Sequence, residues 1–276
     1  MTKHYDVTAL GEVLIDFTEN GSSAQGNPMY EANPGGAPCN VLAMLQKFGH
    51  KTAFLGKVGE DIFGRRLEIV LKEAGIDTAG LCMDPTVRTT LAFVEKKADG
   101  DRDFSFYRNP GADMMLRTEE LQEQILKDTR IFHFGTLSMT DEPVRSATRH
   151  AIETAKANGA LLSFDPNIRE PLWQSMEEAK RQTAYGMEVC DVLKISDNEI
   201  RLPARRISTA EWISFGGNII FPDFTVDGER GKPGILQQPQ SRTTCIFTGR
   251  HDRDDRSGRY VRRMLPALYS GARHGG

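Results

Sequence analysis

Asp16 closes the segment Gly11-Glu12-Val13-Leu14-Ile15-Asp16, and Gly35, Gly36 and Asn40 lie in Asn33-Pro34-Gly35-Gly36-Ala37-Pro38-Cys39-Asn40. Adjacent glycines before a helix leave backbone amides open to a ligand, and the Asn40 carboxamide both donates and accepts. Each feature has a plain alternative: Gly-Gly before a helix is commonly a tight connection, and a helix cap is the plain alternative for Asp16. A third segment, Gly56-Lys57-Val58-Gly59-Glu60-Asp61-Ile62-Phe63-Gly64, follows at one strand's distance. Three glycine-marked loops after strands place several strand ends on one rim, where open α/β sheets bind ligands.

The elements needed to hold such a rim are visible between Tyr5 and Ile200, where strand-like runs alternate with helical stretches as in an α/β domain on a largely parallel sheet. Val7–Leu10 reads as a first strand. A helix is expected from about Pro38 to Phe48 with Gly49 as its stop, a strand at Thr52–Leu55, and a helix over Phe63–Ala74 ended by Gly75. Thr90–Glu95 and Asp103–Tyr107 flank Asp99-Gly100, a hairpin signal that interrupts the α/β rhythm and predicts a projecting β element. Ile131–Phe134, Leu161–Phe164 and Val192–Ile195 continue the sheet. His133, within an apolar strand, reads as a satisfied core histidine.

Composition sets the outer bounds. With 276 residues, 39% hydrophobic and 26% charged, the chain can bury a substantial core. No apolar run approaches the roughly 18 residues of a membrane span, and no charged-then-apolar leader precedes the first strand, so a cytoplasmic protein with no membrane partner is expected. Cys39, Cys82, Cys190 and Cys245 are widely spaced and read as reduced packing residues. Residues 201–276 carry 13 Lys and Arg against 7 Asp and Glu, whereas residues 1–200 carry 22 against 31. The helix-strand periodicity also stops there. A basic nucleic-acid-binding extension would explain the charge, but aromatics are sparse among the arginines and no nucleic-acid partner is expected. The alternative is sequence never selected as protein.

The residues from 5 to 200 resemble the ribokinase-like (PfkB-type) carbohydrate kinases, and among them most closely the bacterial fructokinases. Besides the three glycine-marked segments, the resemblance rests on Phe106-Tyr107-Arg108-Asn109-Pro110-Gly111-Ala112-Asp113, Phe132-His133-Phe134-Gly135, Phe164-Asp165-Pro166-Asn167-Ile168-Arg169-Glu170-Pro171-Leu172-Trp173 and Lys194-Ile195-Ser196-Asp197-Asn198-Glu199. It implies an α/β, ribokinase-like fold, mainly a parallel sheet flanked by helices with a small β lid. It implies a domain over 1–200 that transfers the γ-phosphoryl of ATP to a sugar hydroxyl, fructose to fructose 6-phosphate being the best match. ATP, Mg²⁺, a sugar substrate and a homodimer come with it. Asp16, Gly35, Gly36 and Asn40 would bind the sugar. Tyr107 would pack against it and Arg108 would bond it, with ordinary exposed lid residues as the alternative. Asn167 and Arg169 would face the sugar and the transferring phosphate, Arg169 neutralising charge as the group moves. Glu199 would help organise Mg²⁺, with Ser196 in place of the family's asparagine.

The resemblance fails beyond residue 200. The family's Gly-Ala-Gly-Asp loop, which supplies the general base and an anion hole, does not occur in this chain. At its expected place stands Asp254-Asp255-Arg256-Ser257-Gly258-Arg259-Tyr260-Val261. Permitted codons for that segment, read one base later, spell Thr-Thr-Gly-Ala-Gly-Asp-Thr-Phe, and the same shift over Asp227–Leu236 gives a second family-like stretch. The expectation is therefore a sugar-kinase domain over 1–200 with an aberrant basic tail over 201–276, the C-terminal part of the fold incomplete, not natively folded and catalytically impaired. A non-catalytic sugar-binding remnant is the alternative.

Overall fold

The computed structural model describes residues 3–96, 102–196, 235–236 and 244–248. Its central sheet has eight strands in the order β11-β12-β10-β9-β8-β1-β4-β5. In chain order these are β1 (Tyr5–Leu10), β4 (Thr52–Gly59), β5 (Asp77–Asp84), β8 (Thr129–Gly135), β9 (Leu161–Asp165), β10 (Val192–Ser196), β11 (Ile235–Leu236) and β12 (Thr244–Thr248). All neighbours are parallel except β11 with β12. A second sheet of β2 (Leu14–Ser22), β3 (Pro28–Gly35), β6 (Leu91–Lys96) and β7 (Arg102–Tyr107), in the order β3-β2-β6-β7, forms the lid.

Strand alternation sorts the core onto the two faces of the main sheet. Phe132, Phe134, Phe164, Ala53 and Leu55 point to one face, under α3 (Glu123–Lys127), α4 (Val144–Ala157) and α5 (Met176–Val189). Val7, Ala9, Phe54 and Ile131 point to the other, where α1 (Ala37–Lys47) and α2 (Ile62–Glu73) cover them with Val41, Leu42, Leu45, Leu67 and Leu71. Phe54, Phe132, Phe134 and Phe164 are fully buried, each contributing roughly 1.5–3 kcal/mol. Local chemistry fixes the helix ends. Asp61 caps α2 by accepting from the Phe63 and Gly64 amides at 3.0 and 2.9 Å, and Gly49 and Gly75 end α1 and α2 with φ of 81° and 82°.

Three features depart from the sequence reading. Gly56–Gly59 is no loop but the continuation of β4, paired with β5 as far as Asp84. The lid adds to the expected hairpin and the strand at Asp16 a fourth strand, since the segment that ends in Asn33-Pro34-Gly35 is its edge strand β3. The segment after residue 200, which lacks helix-strand periodicity, nonetheless contributes Thr244–Thr248 beside β10, a run of β-branched and aromatic residues suited to a strand. Among the described residues, no helix is long and apolar enough to cross a membrane.

Candidate functional site

The candidate site lies between the lid sheet and the carboxyl end of the main sheet. β2 leaves the turn after β1 and pairs antiparallel with β3, which sets Asp16 opposite Asn33. Gly35 lies directly under the Asp16 carboxylate, so that a side chain there would collide with it. Gly36 follows with φ of 120°, a conformation that only glycine adopts readily, and the Glu12 carbonyl oxygen occupies the space of its missing Cβ. Asn40 sits in the first turn of α1, exposed, its amide donating to the Gly36 carbonyl at 3.1 Å. Asp16, Gly35, Gly36 and Asn40 thus share one rim.

The second bank comes from the loop after β9. Asn167 holds φ of 44°, in the left-handed region, and is the one non-glycine residue to do so among those described. The preceding Pro166 carbonyl accepts from the Thr136 amide at 3.2 Å and from the Thr136 hydroxyl, which clamps the loop entry. Asp165 pairs with Lys194 at 2.8 Å. Arg169 is half-buried and places its guanidinium over the Phe104 ring at 5.5 Å, joining this loop to the lid. His133 stays inside the sheet, Nδ1 3.1 Å from the Ser163 hydroxyl, and burial, aided by the Lys194 charge, pushes it down to about 3. It is a core residue.

Register decides which lid residues look onto the site. Asp16 pairs across to Ala92 and on to Phe106, and Thr18 to Val94 and on to Phe104. Phe104 and Phe106 therefore stand on the Asp16 face, stacked with ring centres 5.9 Å apart. Tyr107 pairs through Leu91 to Ile15 and faces the other way, where it meets Phe93 beside Phe17 and Tyr30. Of the two readings of Tyr107, the structure favours the ordinary exposed lid residue: it is 66% exposed on the face away from Asp16, and Phe106 holds the inward position. The alternating signal was present in the sequence, but its phase needed the pairing with β2.

Arg108 is engaged within the protein. Its guanidinium is buried and occupied: Nε and Nη2 donate to Asp113 at 2.7 Å, Nη1 donates to the Thr140 hydroxyl at 3.1 Å, and Nη2 also donates to the Leu137 carbonyl at 2.8 Å. Thr90 donates to the same carboxylate. Arg108 ties the root of the lid to the body instead of reaching a ligand. Glu199 lies outside the described residues, as does the side chain of Ser196. Among the described residues no three His, Cys, Asp or Glu side chains are grouped for a metal.

A carboxylate over paired glycines, an exposed carboxamide and an arginine held under an aromatic lid form a surface for a polyhydroxyl ligand next to an anion. Residues 5–211 match the model of the pfkB family carbohydrate kinases. The chain belongs to that family. It is 46% identical over 196 residues to a probable fructokinase-3 of Arabidopsis thaliana, covering 70% of this chain and 57% of the relative. It is likewise 46% identical to fructokinase-1 of Zea mays, covering 70% and 61%. The solved fructokinase of Xylella fastidiosa with bound ATP aligns at 35% identity with a TM-score of 0.68, over 73% of this chain and 64% of that one. The pfkB-family chain thus spans about three-fifths of the length of the curated relatives it matches.

Proposed function

We propose that the protein is of an ATP-dependent sugar kinase lineage whose residues 1–200 bind the sugar, with fructose phosphorylated at its 6-hydroxyl as the reaction. The observation that supports this reading is the face of the lid sheet on which Asp16 stands over Gly35 and Phe104 meets Arg169, in a chain 46% identical to fructokinases. Asp16 accepts from sugar hydroxyls, Asn40 and Asn167 add donors and acceptors, and the Phe104–Phe106 wall excludes water that would compete for the phosphoryl group. Arg169 neutralises charge on the transferring group. Mg²⁺ with ATP supplies that group, and Glu199 belongs to its site in this reading. A homodimer is part of the same reading and is checked by sedimentation equilibrium.

One observation favours a second reading, sugar binding without turnover: the sequence contains no Gly-Ala-Gly-Asp segment. Loss of a general base alone costs about 10²- to 10⁴-fold in rate. Calorimetric titration of the full chain with fructose, beside a coupled assay of ATP consumption, separates the two. Binding with turnover supports the kinase, and binding without it supports the remnant. Absence of binding defeats both. The gene sequence across codons 195 to 265, read from independent template, decides whether the tail over 201–276 is a shifted frame.

A further inference from the structure

Behind the Gly35-Gly36 rim lies a buried carboxylate that phosphoryl transfer does not use. Glu12 sits in the turn after β1 and is 4% exposed. Its Oε1 accepts from the Ala37 amide at 2.9 Å, the first residue of α1. The helix has no capping side chain of its own, so Glu12 supplies the anion that its N-terminus favours. The Glu12 carbonyl oxygen fills the space beside Gly36, and Cys39 directs its Sγ to that same oxygen at 3.9 Å. Backbone and side chain of one residue therefore hold both ends of the turn whose preceding residue, Gly35, underlies Asp16.

We propose that Glu12 is a positioning residue: by gripping the Ala37 amide, its carboxylate holds the Gly35-Gly36 backbone against Asp16 and so sets the affinity of the rim for sugar. The proposal rests on the sugar-site reading of that rim. The charged form is the effective one, because a carboxylate accepts more strongly than a carboxyl group or an amide. Burial pushes Glu12 up to about 7, against the pull of its own and the Ala37 amides; Asp113 raises it further and Arg108 opposes. Cys39 is the third titratable group coupled to it, and burial holds its thiol well above the usual range. The rim thus tightens as pH rises through neutrality.

The test uses the full chain as wild type, Glu12→Gln and Glu12→Ala, at pH 6 and pH 8. Fructose affinity is measured by calorimetry, and amide exchange of residues 33–47 by mass spectrometry after correction for the intrinsic rate at each pH. Wild type should bind fructose about fivefold more tightly at pH 8 than at pH 6, with slower exchange at Ala37 to match, the difference expected of a charged against a neutral acceptor. Glu12→Gln should lie at the weaker level at both pH values while melting higher than wild type at pH 8. Glu12→Ala should bind more weakly still and exchange fast throughout. Wild-type affinity with no pH dependence, or variants with wild-type exchange and affinity, would overturn the proposal. Failure of the sugar-site reading is distinct, because it appears in wild type as no binding to fructose at either pH, and it removes the proposal with it.

Discussion

The two banks of the site are held in place by different physics. The β2–α1 bank, with Asp16, Gly35 and Gly36, depends on a glycine conformation and on a buried acid that changes charge near neutrality. The β9 bank, with Asn167 and Arg169, depends on a doubly gripped carbonyl, an ion pair and a left-handed residue. One bank answers to a proton and the other to backbone geometry. In the proposed reading, the sugar meets one adjustable wall and one fixed wall.

The sharpest way to break the first bank is Gly36→Ala. The new methyl group meets the Glu12 carbonyl oxygen, and φ of 120° is barely accessible to alanine. We expect a loss of about 4 kcal/mol in urea unfolding, strain and clash together. A loss under about 1 kcal/mol would show that the turn relaxes freely and that the bank is not rigidly set.

Next in size is the pH dependence that Glu12 imposes. Its carboxyl is raised from 4.5 to about 7, so the folded state binds more protons than the unfolded state across that interval. Stability contributed by the protonated form is complete below about 4.5 and is lost as pH rises to about 7. At pH 8 the burial of the charge costs about 3 kcal/mol, from a 1.36 kcal/mol equivalence per pK unit. Glu12→Gln should recover up to that amount at pH 8 and nothing at pH 4, measured by denaturation at the two pH values. Equal stabilisation at both would mean that packing, not charge, separates the variants.

The second bank is probed by Lys194→Met. Asp165 and Lys194 are only 9% and 15% exposed, so the carboxylate is left in poorly hydrated surroundings without this cation. The expected cost is about 2 kcal/mol, less than for a fully buried pair because some solvent reaches both groups. His133 offers an independent reading. Lys194 helps to hold its ring near 3, second to burial, so its NMR titration should move upward in the variant. An unmoved titration would separate Lys194 from the strand interior and weaken the picture of a fixed wall.

What the sequence disclosed follows the same division. The main sheet is legible because apolar runs and glycine helix stops report local physics: Gly49 and Gly75 end α1 and α2 where expected. The grouping of Asp16 with Gly35, Gly36 and Asn40 came from the resemblance, and the pairing of β2 with β3 sets Asp16 against Gly35. The lid was only half visible. Pro28, Asn33 and Pro34 disguise β3, which tolerates them because it is an edge strand. The inward place of Phe106 was hidden because alternation gives two faces without naming the inner one. Arg108 looked like a ligand group because its partners, Asp113, Thr140 and Leu137, include two that lie about thirty residues away. Glu12 went unnoticed for the same reason: its partner Ala37 is 25 residues on, across a lid hairpin.

The smallest predicted effect on stability separates scaffold from ligand at Asn167. If the loop after β9 forces φ of 44° on this position, alanine should cost about 1 kcal/mol, since it lacks the tolerance of asparagine for the left-handed region. Glycine relieves the steric strain but loses more chain entropy on folding, so Asn167→Gly should stay within about 0.5 kcal/mol of wild type. Both variants remove the carboxamide. If that group contacts the sugar, both should lose fructose affinity by a similar factor, about tenfold for one hydrogen-bonding partner left unmet. A glycine variant that keeps both stability and affinity would leave Asn167 as a backbone device alone. The work of the second bank would then fall to Arg169, whose guanidinium is the group already joined to the lid through Phe104.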